Sequence, residues 1–149
     1  MDTTPADIAG IAHTIQLSVA PVFLLSGIGV LLGVLTNRLA RVVDRARPLE
    51  DRHESADPAA AAELRSRLNW LAKRARLMNA AITLSTISAL LVAIVVAMLF
   101  LSAFIHFTLA VPVAALFIAA MAALVGALVA FLFEVRIATL TLRIGPKDG

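Results

Sequence analysis

Two long stretches of this chain hold no Asp, Glu, Lys or Arg: Ile8 to Asn37, and Leu77 to Phe133. A bilayer core about 30 Å thick takes roughly 20 helical residues to cross. The first stretch therefore has room for one span and the second for two. The segment between them, Arg38 to Arg76, is polar but not uniformly so. Leu35, Leu39, Val42, Ala46 and Leu49 recur at alternating steps of four and three, and Leu64, Leu68, Leu71, Ala75 and Met78 do the same. Each set is an apolar stripe at helical spacing. The first span is expected to continue into the first stripe until Pro48 or soon after. The second stripe runs without a breaker into the second span. Residues 50–57 form the most polar turn. Asp57 can cap free N–H groups there, and Pro58 suits the first position of a helix. Two striped arms joined by a short turn are expected to pack as an antiparallel hairpin.

The pattern thus predicts an all-α polytopic membrane protein: three transmembrane helices, with a cytoplasmic antiparallel helical hairpin between the first and second. Within a single membrane domain, 1–12 is the outer N-terminal segment and 13–36 the first span. Residues 37–78 are the hairpin, 79–104 the second span, 105–112 the outer turn and 113–133 the third span. Residues 134–149 are the cytoplasmic helix end and tail, stopping at Gly145-Pro146. Pro21 is expected to kink the first span or free its carbonyls. The first apolar run has no basic flank before it and is longer than the core of a cleaved signal, so it reads as a retained helix.

Composition agrees with this reading. Of 149 residues, 60% are hydrophobic and 15% charged, and a soluble domain carries more charge. No stretch is left over for a separate soluble catalytic domain. With no cysteine, disulfides, thiolate metal sites and thiol nucleophiles are excluded. A net charge of +3 would raise nucleic acid as a partner of a soluble protein, but its distribution points to a membrane. All 13 Lys and Arg lie at or after Arg38, and only Arg136, Arg143 and Lys147 follow the last apolar run. Positive loops stay cytoplasmic. The expected orientation is N-terminus outside, Arg38–Arg76 inside, His106 outside and C-terminus inside. Anionic lipid headgroups are the expected partners of the basic hairpin, at about 1 kcal/mol per base, and no nucleic acid is expected. Asp44 can pair with Arg41 and Arg47 along its own helix.

Candidate chemistry is sparse. Ser26, Gly29 and Gly33, continued by Asn37, share one side of the first span. Gly29 and Gly33 make a small-xxx-small pattern that lets backbones approach closely. Helix packing is the default reading, and a water-filled pore face the sharper one. Asn79, Thr83 and Thr86, with Ser85 and Ser88 nearby, are expected to hydrogen-bond between helices. Ala115, Ala119, Ala122, Gly126 and Ala130 suggest a small-residue groove leading to Glu134. That acid is expected to be a structural ion-pair partner, and a cation-selecting Glu ring in an oligomer is the alternative. His13 and His106 should lie outside and His53 inside, so with Asp7 they make no convincing metal site. Phosphate loops, nucleophile elbows and zinc-helix motifs do not occur. No enzyme activity and no cofactor are expected, and an enzyme acting on lipid is the weakest alternative.

Several segments resemble one membrane family. They are Ile15-Gln16-Leu17, Ala20 to Gly29, and Leu35-Thr36-Asn37-Arg38-Leu39-Ala40-Arg41-Val42-Val43-Asp44-Arg45-Ala46-Arg47. Arg74 to Ile82, Leu116 to Ala120 and Phe133-Glu134-Val135-Arg136 also fit. Together these resemble the bacterial integral membrane family known as domain of unknown function 2721, over about residues 13–143. The resemblance implies a small helical protein of the bacterial cytoplasmic membrane and supplies no activity. Resemblance and spacing together predict a polar cluster at the inner boundary, built from Asn37, Arg38, Arg41, Asp44, Arg45, Arg76, Asn79, Glu134 and Arg136. Two functions follow as expectations. The first, slightly favoured, is a homo-oligomeric pore or ion-permeation protein. The second is a membrane-anchored scaffold or adaptor that binds a cytoplasmic protein partner through its hairpin.

Overall fold

The computed structural model describes residues 5–54, 57–104 and 110–140, and these form three α-helices. They are α1 (Pro5–Glu54), α2 (Pro58–Phe104) and α3 (Ala110–Leu140). Each contains a stretch long and apolar enough to cross a membrane. The expected tail beyond 140 and most of the expected outer turn, including His106, lie outside the described residues.

Helix α1 is longer than the pattern suggested at both ends. It starts at Pro5 and runs through Pro21 and Pro48 to Glu54. Neither proline ends it. Proline removes one donor and crowds the preceding turn, but a helix can carry it where neighbours compensate. Pro21 is buried. In α2 the arm and the span form one uninterrupted helix. Its first turn closes where Ala61 N donates to the Asp57 carbonyl at 2.8 Å, so Pro58, which has no N–H to give, loses nothing there. Helix α3 begins at Ala110, inside the expected outer turn, with Pro112 in its first turn.

Buried positions recur at heptad spacing along each helix. In α1 they are Pro21, Ile28, Leu35 and Val42. In α2 one line is Leu71, Met78, Ser85 and Val92, and a second is Ala81, Ser88 and Val95. In α3 the line is Ala120, Ala127 and Glu134. A seven-residue repeat keeps one seam of a helix facing its neighbours. The expected groove of α3 is therefore corrected: Ala115, Ala119 and Ala122 are exposed, and the buried line passes through Ala120 and Ala127 instead.

The chain divides into two compact units. One comprises Met1–Leu32 and Leu84–Val125. Its core is Ile28 of α1, Val92 of α2 and Ala120 of α3, flanked by Leu24, Leu25, Leu32, Ala89, Leu91 and Leu124. Ser88 Oγ donates to the Ala120 carbonyl at 2.8 Å and ties α2 to α3. Large apolar side chains on this unit face outward, among them Phe23, Val30, Leu90, Val111 and Ile118. Soluble monomers rarely expose contiguous apolar surface on that scale, whereas lipid tails accept it. The other unit comprises Gly33–Thr83 and Gly126–Gly149. Here Val42, Leu71 and Met78 form the core, with Leu39, Ala46, Leu49, Trp70 and Ala75 packed against it. Residues of both apolar stripes thus share one cluster.

Candidate functional site

The second unit contains the most demanding electrostatic arrangement among the described residues. Glu134 of α3 is fully buried. Arg74 of α2 grips its Oε1, with Nε at 3.1 Å and Nη2 at 2.6 Å. Arg38 of α1 places Nη2 3.0 Å from Oε2. That second contact is an ion pair without the alignment of a hydrogen bond, so Oε2 is held by charge rather than by a directed donor. One carboxylate thereby binds three helices.

Aromatic rings support both arginines. The Arg74 guanidinium lies over the Trp70 ring, 4.8 Å from its centroid, and Arg38 lies over Phe131 at 5.2 Å. Trp70 and Arg74 stand one helical turn apart on α2, so helical spacing brings that ring to its arginine, whereas Phe131, one turn before Glu134 on α3, meets Arg38 of α1 only through packing. A ring face attracts a guanidinium and shields it from water. The Arg74 side chain is 11% exposed and that of Arg38 28%. A buried carboxylate is costly unless paired and bonded, and here each oxygen has its own arginine. The triad carries a net charge of +1.

Beside the triad lies a cleft of about 160 Å³ lined by Arg38, Arg41, Val42, Arg45, Arg74 and Met78. Arg41 and Arg45 are exposed, and neither has an ion-pair partner among the described residues.

The residues expected at the inner boundary divide into two groups. Arg38 and Glu134 pair directly, and Arg41 and Arg45 share the cleft wall with Arg38. Arg41 does not reach Glu134. Asn37, Asp44, Arg76, Asn79 and Arg136 are exposed. Asp44 pairs with neither Arg41 nor Arg47 among the described residues. The acid's main partner, Arg74, was absent from the expected cluster. Arg74 lies one heptad before Ala81, on the line that Ser88 and Val95 continue, but only the packed structure shows that this line is buried.

Elsewhere, Ser26, Gly29 and Gly33 are exposed, and a Cβ added at either glycine would meet no atom within 4 Å. Of the expected interhelical hydroxyls, Ser88 bonds across helices, Thr83 bonds the Asn79 carbonyl of its own helix at 2.9 Å, and Ser85 Oγ is buried without a partner. Among the described residues no group of His, Asp or Glu could hold a metal ion. His106 lies outside them.

The model of the family described as "Protein of unknown function (DUF2721)" matches residues 18–144. The chain belongs to this family. No curated protein and no solved structure matches it. All the residues of the triad, its two rings and the arginine cleft fall inside the matched region.

Proposed function

We propose that this member of the family is a membrane-anchored scaffold, with three spans as the anchor and the segment 37–78 as a cytoplasmic antiparallel hairpin that meets a protein partner. In this reading the protein sits in the bacterial cytoplasmic membrane with its N-terminus outside. One observation carries the reading: the Glu134 carboxylate is buried inside the protomer and engaged by Arg38 and Arg74. A carboxylate that selects cations must face a path, and this one faces two cations of its own chain. The acid's task is then to fix the register of three helices where the apolar runs end. The shared apolar cluster of the two stripes supports the hairpin as a stiff element.

A second reading, a homo-oligomeric pore, draws on the exposed Ser26, Gly29 and Gly33 face, which is open to close approach by another copy. Reconstitution into proteoliposomes separates the two. The scaffold reading expects no ion flux across a range of voltage, salt and pH. It also expects a photo-cross-linking side chain at Asn69 or Arg65 of the full-length protein to give one defined protein adduct in cells. Flux through wild type that the Glu134→Gln variant alters would overturn the scaffold reading in favour of the pore.

A further inference from the structure

We propose that the arginine cleft binds the phosphate of an acidic membrane lipid. Four guanidinium groups, from Arg38, Arg41, Arg45 and Arg74, line one recess of about 160 Å³ whose remaining lining is Val42 and Met78. Arg38, Arg41 and Arg45 follow at steps of three and four, so they stand on one face of α1. Arg74 comes to the same recess from α2.

The local charge does not balance. Glu134 offsets one of the two arginines it holds, and Arg41 and Arg45 have no ion-pair partner among the described residues. Clustered like charges repel unless an anion lies between them. Guanidinium groups match phosphate oxygens in geometry and bind them with charge-assisted hydrogen bonds. The Glu134 bridge has a second consequence here. It holds Arg38 and Arg74 in place before any ligand arrives, so less side-chain entropy is lost on binding.

Position along the chain identifies the source of the phosphate. Arg38 and Glu134 are the first charged residues after the two uncharged stretches, and Arg74 lies three residues before Leu77, where the second of them begins. The cleft is therefore at the level where the apolar runs end, which is the level of lipid headgroups. Basic pockets between membrane helices on the cytoplasmic side bind such groups. The inference is independent of the scaffold reading and shares with it only the membrane setting.

The test uses full-length protein in nanodiscs containing phosphatidylglycerol and phosphatidylcholine, with retained lipid counted by native mass spectrometry. Wild type is expected to retain phosphatidylglycerol preferentially. The Arg41→Gln/Arg45→Gln variant leaves the Glu134 triad intact and should weaken that retention about tenfold. The control Arg52→Gln/Arg65→Gln removes the same charge from exposed positions off the cleft and should change it less than twofold. Thermal unfolding checks that both variants stay folded. A second arm adds inorganic phosphate to protein in pure phosphatidylcholine. Stabilisation there, lost in Arg41→Gln/Arg45→Gln and without lipid preference, overturns the lipid assignment and gives the site to soluble phosphate. Equal retention of both lipids with no response to phosphate overturns the site altogether, as does equal loss in variant and control.

Discussion

Glu134 of α3 is joined to α1 through Arg38 and to α2 through Arg74. Burying a charge in a chain this apolar is tolerable only because two arginines meet it and two rings cover those arginines. Removing the acid alone leaves two half-sheltered cations facing each other. We expect Glu134→Gln to cost about 3 kcal/mol of folding stability, read as a fall in the unfolding midpoint in a fixed detergent. Replacing all three members with Met should restore most of that loss, because apolar groups of similar volume need no counter-charge. A triple variant as unstable as the single one would show that the triad is held for more than charge balance. Sequence reading reached Glu134 and Arg38 from their position at the ends of apolar runs. It did not reach Arg74, because nothing in the spacing separates Arg74 from its neighbours Lys73 and Arg76 until α2 is packed against α1 and α3.

At the scale of elements, two buried serines one turn apart on α2 show how differently polar groups at helix contacts behave. Ser88 bonds the Ala120 carbonyl across to α3, whereas Ser85 Oγ has no partner. Ser88→Ala should destabilise by about 0.6 kcal/mol. Ser85→Ala should be neutral or slightly stabilising, because it removes an unsatisfied polar atom without leaving a large void. Paired thermal melts of the two variants check this, and a loss at Ser85 equal to that at Ser88 would mean Ser85 finds a partner in the membrane. The small-residue face of α3 was misassigned by pattern for a related reason. In lipid every face of a span is apolar, so polarity no longer marks the buried side. Two small-residue lines, one through Ala119 and one through Ala120, look equivalent until a neighbouring helix occupies one of them.

At the scale of the whole molecule, the predictions concern orientation and association. The absence of native cysteine makes single-cysteine labelling clean. In the proposed orientation, Asn69→Cys should react with an impermeant maleimide only from the cytoplasmic side, and His106→Cys only from the outside. The reverse result would invert the proposed orientation. A Gly29→Leu/Gly33→Leu variant tests association. No atom stands within 4 Å of either added Cβ, so the protomer should fold as before while any assembly through that face dissociates. Native mass spectrometry in lipid reads the difference, and an unchanged oligomer would move the contact elsewhere.

The spacing of apolar and charged positions determined by itself that the chain is helical, that it has three stretches able to span a bilayer, and that its bases gather in one segment. Those features are local or compositional, and a helix reports its own periodicity without help from its neighbours. Only the tertiary structure decided which arginines meet Glu134, which alanine line of α3 is buried, and that Arg41 and Arg45 border a recess instead of joining an ion pair. Those outcomes depend on the rotation of each helix about its own axis. In a chain whose faces are nearly all apolar, that rotation is chosen by side-chain volume and by the few charges that must find one another.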